Sequence, residues 1–196
     1  MQTYRYFLNR NKNGNGFSEL LNGKIFVDKT GLIEEINEKI STKEKWGCVS
    51  KPRRFGKTMA LEMLAAYYTK GIHTEQLFLP LNAAKGKTFK QHLNAHNVIL
   101  VNFNDYFNKE RSIQESISLF SSRLLKDLQN TFPDILDESC DLSLSLDMIC
   151  QLTGEKFIFL IDEWDSIFRT KRQEKEEQEI FLDFLRLLFK DKEYIE

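Results

Sequence analysis

The chain lacks what a metal cage, a disulfide scaffold or a membrane protein would need. Its three cysteines, Cys48, Cys140 and Cys150, are scattered without metal-ligand spacing. The odd count, with no signal peptide, points to reduced thiols and a cytoplasmic setting. Three histidines (His73, His92, His96) show no partner at ligand spacing. No apolar run nears the roughly 20 residues of a membrane span, and the longest, such as Phe157–Ile161, are strand-sized. Charge of one sign is also missing: the net charge is −1, so overall charge argues neither for nor against nucleic acid, and basic character is local, at Lys51, Arg53, Arg54 and Lys57. No internal repeat or low-complexity linker interrupts the chain.

What remains is ordinary material for a soluble globular fold. The 196 residues suit one domain, or one domain and part of another. A hydrophobic content of 41% is enough for a sizeable core. Asn11–Gly16 reads as a turn or flexible loop. Lys24–Asp28 reads as a short strand, and Leu32–Ile40 carries apolar residues at helical spacing. Ala60, Met63, Leu64, Tyr67 and Tyr68 mark one helix face, with Gly71 as a C-terminal stop. A short helix is expected near Phe89–Leu93. Val98–Phe103 is a nearly continuous apolar run, as a strand covered on both faces requires. Ser112 and Glu115 form a capping box, after which Ile113, Ile117, Phe120, Leu124 and Leu128 trace a long helix ended by Phe132-Pro133. A further helix spans Leu142–Leu152, closed by Gly154. Phe157–Ile161 is the second buried-strand signature. Beyond the charged run Lys171–Glu179, read as a solvated first turn, Ile180, Phe181, Phe184, Leu185 and Leu188 line another helix. Helices and strands alternate, which predicts an α/β domain with a mostly parallel sheet.

Two stretches carry chemistry. Residues 50–58 read Ser-Lys-Pro-Arg-Arg-Phe-Gly-Lys-Thr, between the apolar segment Trp46–Val49 and a helix that starts near Met59. Strand, tight loop and helix is the setting in which backbone N–H groups and a lysine cradle nucleotide phosphates. Lys57 suits the β- and γ-phosphates, and the Thr58 hydroxyl suits Mg²⁺. The template G-x-x-x-x-G-K-[ST] asks for a glycine where Lys51 stands, and only Gly56 is present. Pro52 pushes Lys51 toward extended geometry, so a stiffer entry replaces the glycine turn. Arg53 and Arg54 suit phosphate oxygens, a bound polymer or plain solvent. Cys48, on the expected strand, is read as a small buried hydrophobe.

The second stretch is Asp162-Glu163-Trp164-Asp165, directly after the Phe157–Ile161 run. Asp162 suits the magnesium, and Glu163 suits a general base that polarises water. Asp165 is expected to brace the strand end, and Trp164 to pack. Either stretch alone has a plain alternative, a basic turn or an acidic helix cap. Both together, at the C-terminal ends of predicted parallel strands, point to a nucleotide site.

The runs Phe26-Val27-Asp28-Lys29-Thr30, Ser50–Thr58 and Leu160–Asp165 together resemble the bacterial AAA-ATPase-like family, in order over about residues 17–190. The resemblance accounts for Lys51, because members carry a basic residue in place of the first glycine. It implies a P-loop NTPase three-layer sandwich that binds ATP and Mg²⁺, with Lys51, Arg53, Arg54, Phe55, Gly56, Lys57 and Thr58 on the nucleotide. Thr58 and Asp162 would serve the metal, and Glu163 would activate water. Members often continue into a nuclease domain of the restriction-endonuclease type, so a nucleic-acid-related task, a homo-oligomer and no membrane partner are the implied surroundings. Residues 1–44 are expected to form an extension packed on a core of 45–196. In P-loop ATPases with an added catalytic glutamate, a sensor strand follows the acidic one. No segment after the helix following Asp162 offers that strand, and the nuclease is absent. The expectation is therefore a fragment truncated at its C-terminus, the alternative a natural short form. Three functions stay open: an ATP hydrolase, a nucleotide-binding switch without turnover, and a nucleic-acid-binding module that uses Arg53 and Arg54.

Overall fold

The structure, a computed structural model, describes residues 4–52, 54–107, 111–136, 140–170 and 175–196. It is a mixed helix and strand protein in which helices dominate. It divides into two compact units, one formed by Asn9–Val98 with Glu196 and the other by Met1–Leu8 with Ile99–Ile195.

The unit Asn9–Val98 is helical. It holds α1 (Asn15–Leu21), α2 (Leu32–Asn37), α3 (Lys57–Tyr68) and the one-turn helices α4 (Glu75–Phe78) and α5 (Phe89–His92). The C-terminal half of α3 is its core: Met63 through Tyr68 are all buried. Phe17 stacks on Phe78 at 4.9 Å between ring centroids, and Phe78 meets Tyr67 edge-on at 5.5 Å. Full burial of each such ring contributes about 1.5–3 kcal/mol. The phenol of Tyr67 donates to the Phe89 carbonyl at 2.8 Å, and that of Tyr68 to Asn37 Oδ1 at 2.7 Å. Burial pushes the Tyr67 hydroxyl up to about 12 and raises Tyr68 as well, so both remain neutral donors.

The end of α3 is clamped by Asn94. Its side-chain amide donates to the Ala66, Tyr67 and Thr69 carbonyls at 3.1–3.3 Å, and its backbone N–H to Tyr67 at 2.7 Å. These are carbonyls that the helical ladder leaves over. His96 exchanges backbone hydrogen bonds with Tyr68 and Lys70 just beyond. The helix that opens at the Gly-Lys-Thr triplet is therefore fixed at its far end.

Three expectations fail in this unit. Asn11–Gly16 is no loose loop: Asn11–Gly14 is a 3-10 helix running into α1, and Asn13 and Gly14 are buried. A Cβ at Gly16 would stand 2.7 Å from Glu62 Cδ on α3, so the carboxylate end of that side chain would have to shift. Lys24–Asp28 and Trp46–Val49 form no strand, and Ile25, Val27 and Val49 are exposed. A strand is held by its ladder, and no described residue of this unit forms one with either segment. Cys48, expected to be buried on such a strand, is exposed.

The other unit contains the sheet. The strand β1 (Asn97–Asn102), whose first two residues belong with the helical unit, pairs with β2 (Phe157–Asp162) in a small parallel sheet. Leu8 adds one antiparallel rung at Ile99, and Ile195 one parallel rung at Phe157. The segment after the last helix, which offered no strand in the sequence, thus pairs with β2. Around the sheet lie α6 (Ile113–Thr131), α7 (Leu142–Thr153), α8 (Ser166–Thr170) and α9 (Lys175–Phe189). The Ser112–Glu115 capping box forms as expected, and α7 ends at Gly154 with φ 73°. Phe7, Phe103, Phe107, Phe120 and Phe181 fill the centre. Asp127, fully buried on α6, accepts the backbone N–H groups of Tyr6, Phe7 and Leu8 at 2.9, 2.6 and 3.0 Å. One carboxylate thereby ties the chain's start to this unit.

Candidate functional site

The loop half of the candidate site belongs to the helical unit. Lys51, Pro52 and Arg54 are exposed, and Phe55 is 63% exposed. Arg53 lies outside the described residues. Two residues take left-handed backbone, Arg54 at φ 68° and Gly56 at φ 82°. For the arginine this costs on the order of 1–2 kcal/mol, the kind of strain retained at working sites. Gly56 is the N-cap of α3. Its carbonyl accepts the Ala60 N–H at 3.0 Å, the first bond of the helical ladder. The amides of the first turn therefore lie outside that ladder and point back over the loop.

No side chain caps α3, and no acidic residue stands in its first turn. The positive end of the helix is thus left to an anion from elsewhere. Lys57 extends the same field. Its Nζ reaches back across the loop and donates to the Lys51 carbonyl at 2.6 Å. The position that lacks the template glycine is therefore used through its backbone oxygen, which a lysine supplies as well as a glycine would. Thr58 is exposed next to it.

The segment 26–30, part of the same sequence pattern, has a bracing role. Asp28 accepts the Thr30 and Asn82 N–H groups, each at 2.8 Å, and the Thr30 hydroxyl at 2.6 Å. Burial works against its charge. The Thr30 side chain and the Asn82 and Thr30 amides outweigh that, and the carboxyl sits below its ordinary value. Thr30, itself buried, accepts the Ala83 N–H at 2.9 Å.

The acidic half belongs to the sheet unit. Asp162 closes β2 with 8% exposure, and its Oδ1 accepts the Glu163 N–H at 3.0 Å. Glu163 then turns the chain through a left-handed φ of 53°. Its carbonyl accepts the Ser166 N–H at 2.9 Å, and the Asp165 carbonyl accepts the Phe168 N–H at 3.1 Å, which starts α8. The Glu163 carboxylate is ion-paired with the Arg169 guanidinium, and Asp165 lies 3.4 Å from the same Arg169 nitrogen. Trp164 lies edge-on to Phe168 at 6.1 Å and is 44% exposed.

Asp162, Glu163 and Asp165 are thus gathered at one strand end, and Lys51 and Lys57 across one loop. Among the described residues no three His, Cys, Asp or Glu side chains gather to hold a metal ion. Magnesium takes one or two protein ligands together with phosphate oxygens rather than an all-protein cage. A threonine and a strand-end carboxylate are ligands of the required kind.

Sequence reasoning missed two features. Arg169 carried a signal, its i, i+4 spacing from Asp165 on a short helix. The histidines did too: His92 and His96, also four apart, meet with Nδ1 2.9 Å from Nε2, which corrects the reading that they lack partners. Burial lowers the His92 pKa, against the charges of Glu196 and Glu34.

No curated protein and no solved structure matches the chain. A family model described as Predicted AAA-ATPase matches residues 15–194, which takes in both halves of the site. The chain belongs to this AAA-ATPase-like family.

Proposed function

We propose that the chain is an ATP-binding module that hydrolyses ATP with Mg²⁺, built on a P-loop sandwich and coupled to a nucleic-acid-related task. The observation that carries this reading is the loop at 51–57. A lysine ammonium is held over a left-handed glycine at the uncapped, acid-free start of a helix. In the reading, Lys57 and the first-turn amides bind the β- and γ-phosphates. Lys57 exchanges its bond to the Lys51 carbonyl for one to phosphate, a stronger, charge-assisted contact. Arg54 and Arg53 add positive charge at the loop entry, and Phe55 covers its outer side. Thr58 and Asp162 hold the metal. Mg²⁺, when bound, would supply positive charge that stabilises the phosphate charge. Glu163 takes a proton from water as the water oxygen bonds to the γ-phosphorus and the bond to the leaving diphosphate oxygen breaks.

Glu163→Gln tests the catalytic part. It keeps the size and loses the basic oxygen, so turnover should fall by roughly 10²- to 10⁴-fold with ATP affinity retained. Turnover equal to that of the unaltered chain would remove Glu163 from the role.

A second reading is a nucleotide-binding switch without turnover. The pairing of Glu163 with Arg169 favours it, because a carboxylate held by a guanidinium is not free to take a proton. Measured, Glu163-dependent phosphate release excludes it.

A further inference from the structure

Arg169 has no place in the chemistry above, yet it touches the residue on which that chemistry depends. It lies on α8, and the corner between β2 and α8 is stiff. The left-handed turn at Glu163, the Ser166 N–H on the Glu163 carbonyl and the Phe168 N–H on the Asp165 carbonyl set where α8 begins. The guanidinium is therefore delivered to the Glu163 carboxylate by the backbone.

Three details show what this contact can do. The Arg169 nitrogen donates to Glu163 Oε2, which turns the carboxylate toward the guanidinium and away from the orientation that a water at the strand end would need. Asp165, 3.4 Å from that nitrogen, offers the guanidinium a second anion to remain on when Glu163 leaves. The pair is also openable. Both side chains are about one-third exposed (31% and 32%), where ion pairs are weak. The Arg169 Nε is buried with no hydrogen-bond partner among the described residues, so this arrangement does not satisfy the guanidinium fully.

We propose that Arg169 is a positioning residue that holds Glu163 in a resting orientation, and that hydrolysis requires Glu163 to leave Arg169 for water while Asp165 keeps the arginine in place. The inference rests on the reading of Glu163 as the base. It adds a brake on the same site, set by the strength of one partly exposed ion pair.

The test is steady-state ATP hydrolysis by the full chain with Mg²⁺, comparing the unaltered protein with Arg169→Ala and Arg169→Lys. Removal of the arginine should raise kcat by about two- to fivefold, the range that a partly exposed pair supports, and leave KM unchanged. Lysine, which keeps the charge without the planar fork, should give an intermediate rate. Added salt should speed the unaltered protein and not Arg169→Ala, because salt screens the pair. An arginine that only braces the corner would give a lower kcat on removal and no difference in salt response. That outcome, or unchanged turnover, overturns the brake while hydrolysis by the unaltered chain leaves the function standing. If Arg169→Ala does not fold, a rate for Arg169→Lys equal to or below that of the unaltered protein overturns it equally. No Glu163-dependent hydrolysis by the unaltered chain removes the catalytic reading itself, and the brake with it.

Discussion

The loop at 51–57 and the acidic strand end are held in opposite ways. Lys51, Pro52, Arg54 and Phe55 are exposed, and the shape of the loop rests on backbone: a left-handed glycine, a strained arginine and one lysine-to-carbonyl bond. At 162–169 the shape rests on its surroundings: a buried strand, a buried Asp162 and an arginine shared by two carboxylates. A loop of the first kind is poised to change partners when an anion arrives. A corner of the second kind fixes its carboxylates and must be unlocked. In the proposed function the first would set binding and the second turnover, and mutations should sort accordingly.

The largest effect is expected where burial is deepest. Asp127→Ala leaves three amides, those of Tyr6, Phe7 and Leu8, without their acceptor inside the sheet unit. Unsatisfied buried donors of this kind put the loss at about 3 kcal/mol or more. Urea unfolding followed by tryptophan fluorescence and circular dichroism measures it. A loss below about 1 kcal/mol would mean that this unit does not depend on its buried anchor as the comparison holds.

A smaller effect is expected at Gly56. A Cβ there meets only Met59 Sδ, at 3.7 Å, so space is not at issue and the left-handed φ of 82° is. Gly56→Ala should cost about 1 kcal/mol of stability in the same unfolding experiment and weaken nucleotide binding further, since the loop shape is backbone-made. An alanine variant that binds ATP normally would show that shape to be dispensable.

The smallest effect concerns acid. The Asp28 carboxyl is depressed in the folded state, so its contribution is present above the unfolded value of about 4 and is lost as pH falls through the lower folded value. Asp28→Asn should reduce stability at pH 7 and leave it nearly unchanged at pH 2–3. Equal losses at both pH values would assign the role to packing instead of charge.

What could be read in the sequence follows the same division. The α6 capping box, the Gly154 stop of α7 and the apolar runs of β1 and β2 were legible because each depends on residues close in sequence. Segments 24–28 and 46–49 have strand-like composition, but a strand needs a neighbour that composition does not supply, and both are coil. Asp127 puts a charge on the buried face of α6, and its partners are 119–121 residues away. The order Gly56-Lys57-Thr58 was plain. The use of the Lys51 carbonyl was not, because sequence patterns record side chains and this contact is made by backbone. Arg169 was readable only as one member of an i, i+4 pair.

The central claim is that the loop holds phosphate through Lys57. Its direct test is equilibrium binding of a fluorescent ATP analogue, with Mg²⁺ present, to the unaltered chain and to Lys57→Ala, both checked as folded by circular dichroism. Loss of a charged hydrogen bond to phosphate predicts at least about a tenfold weaker Kd. An unchanged Kd in folded Lys57→Ala would contradict the account.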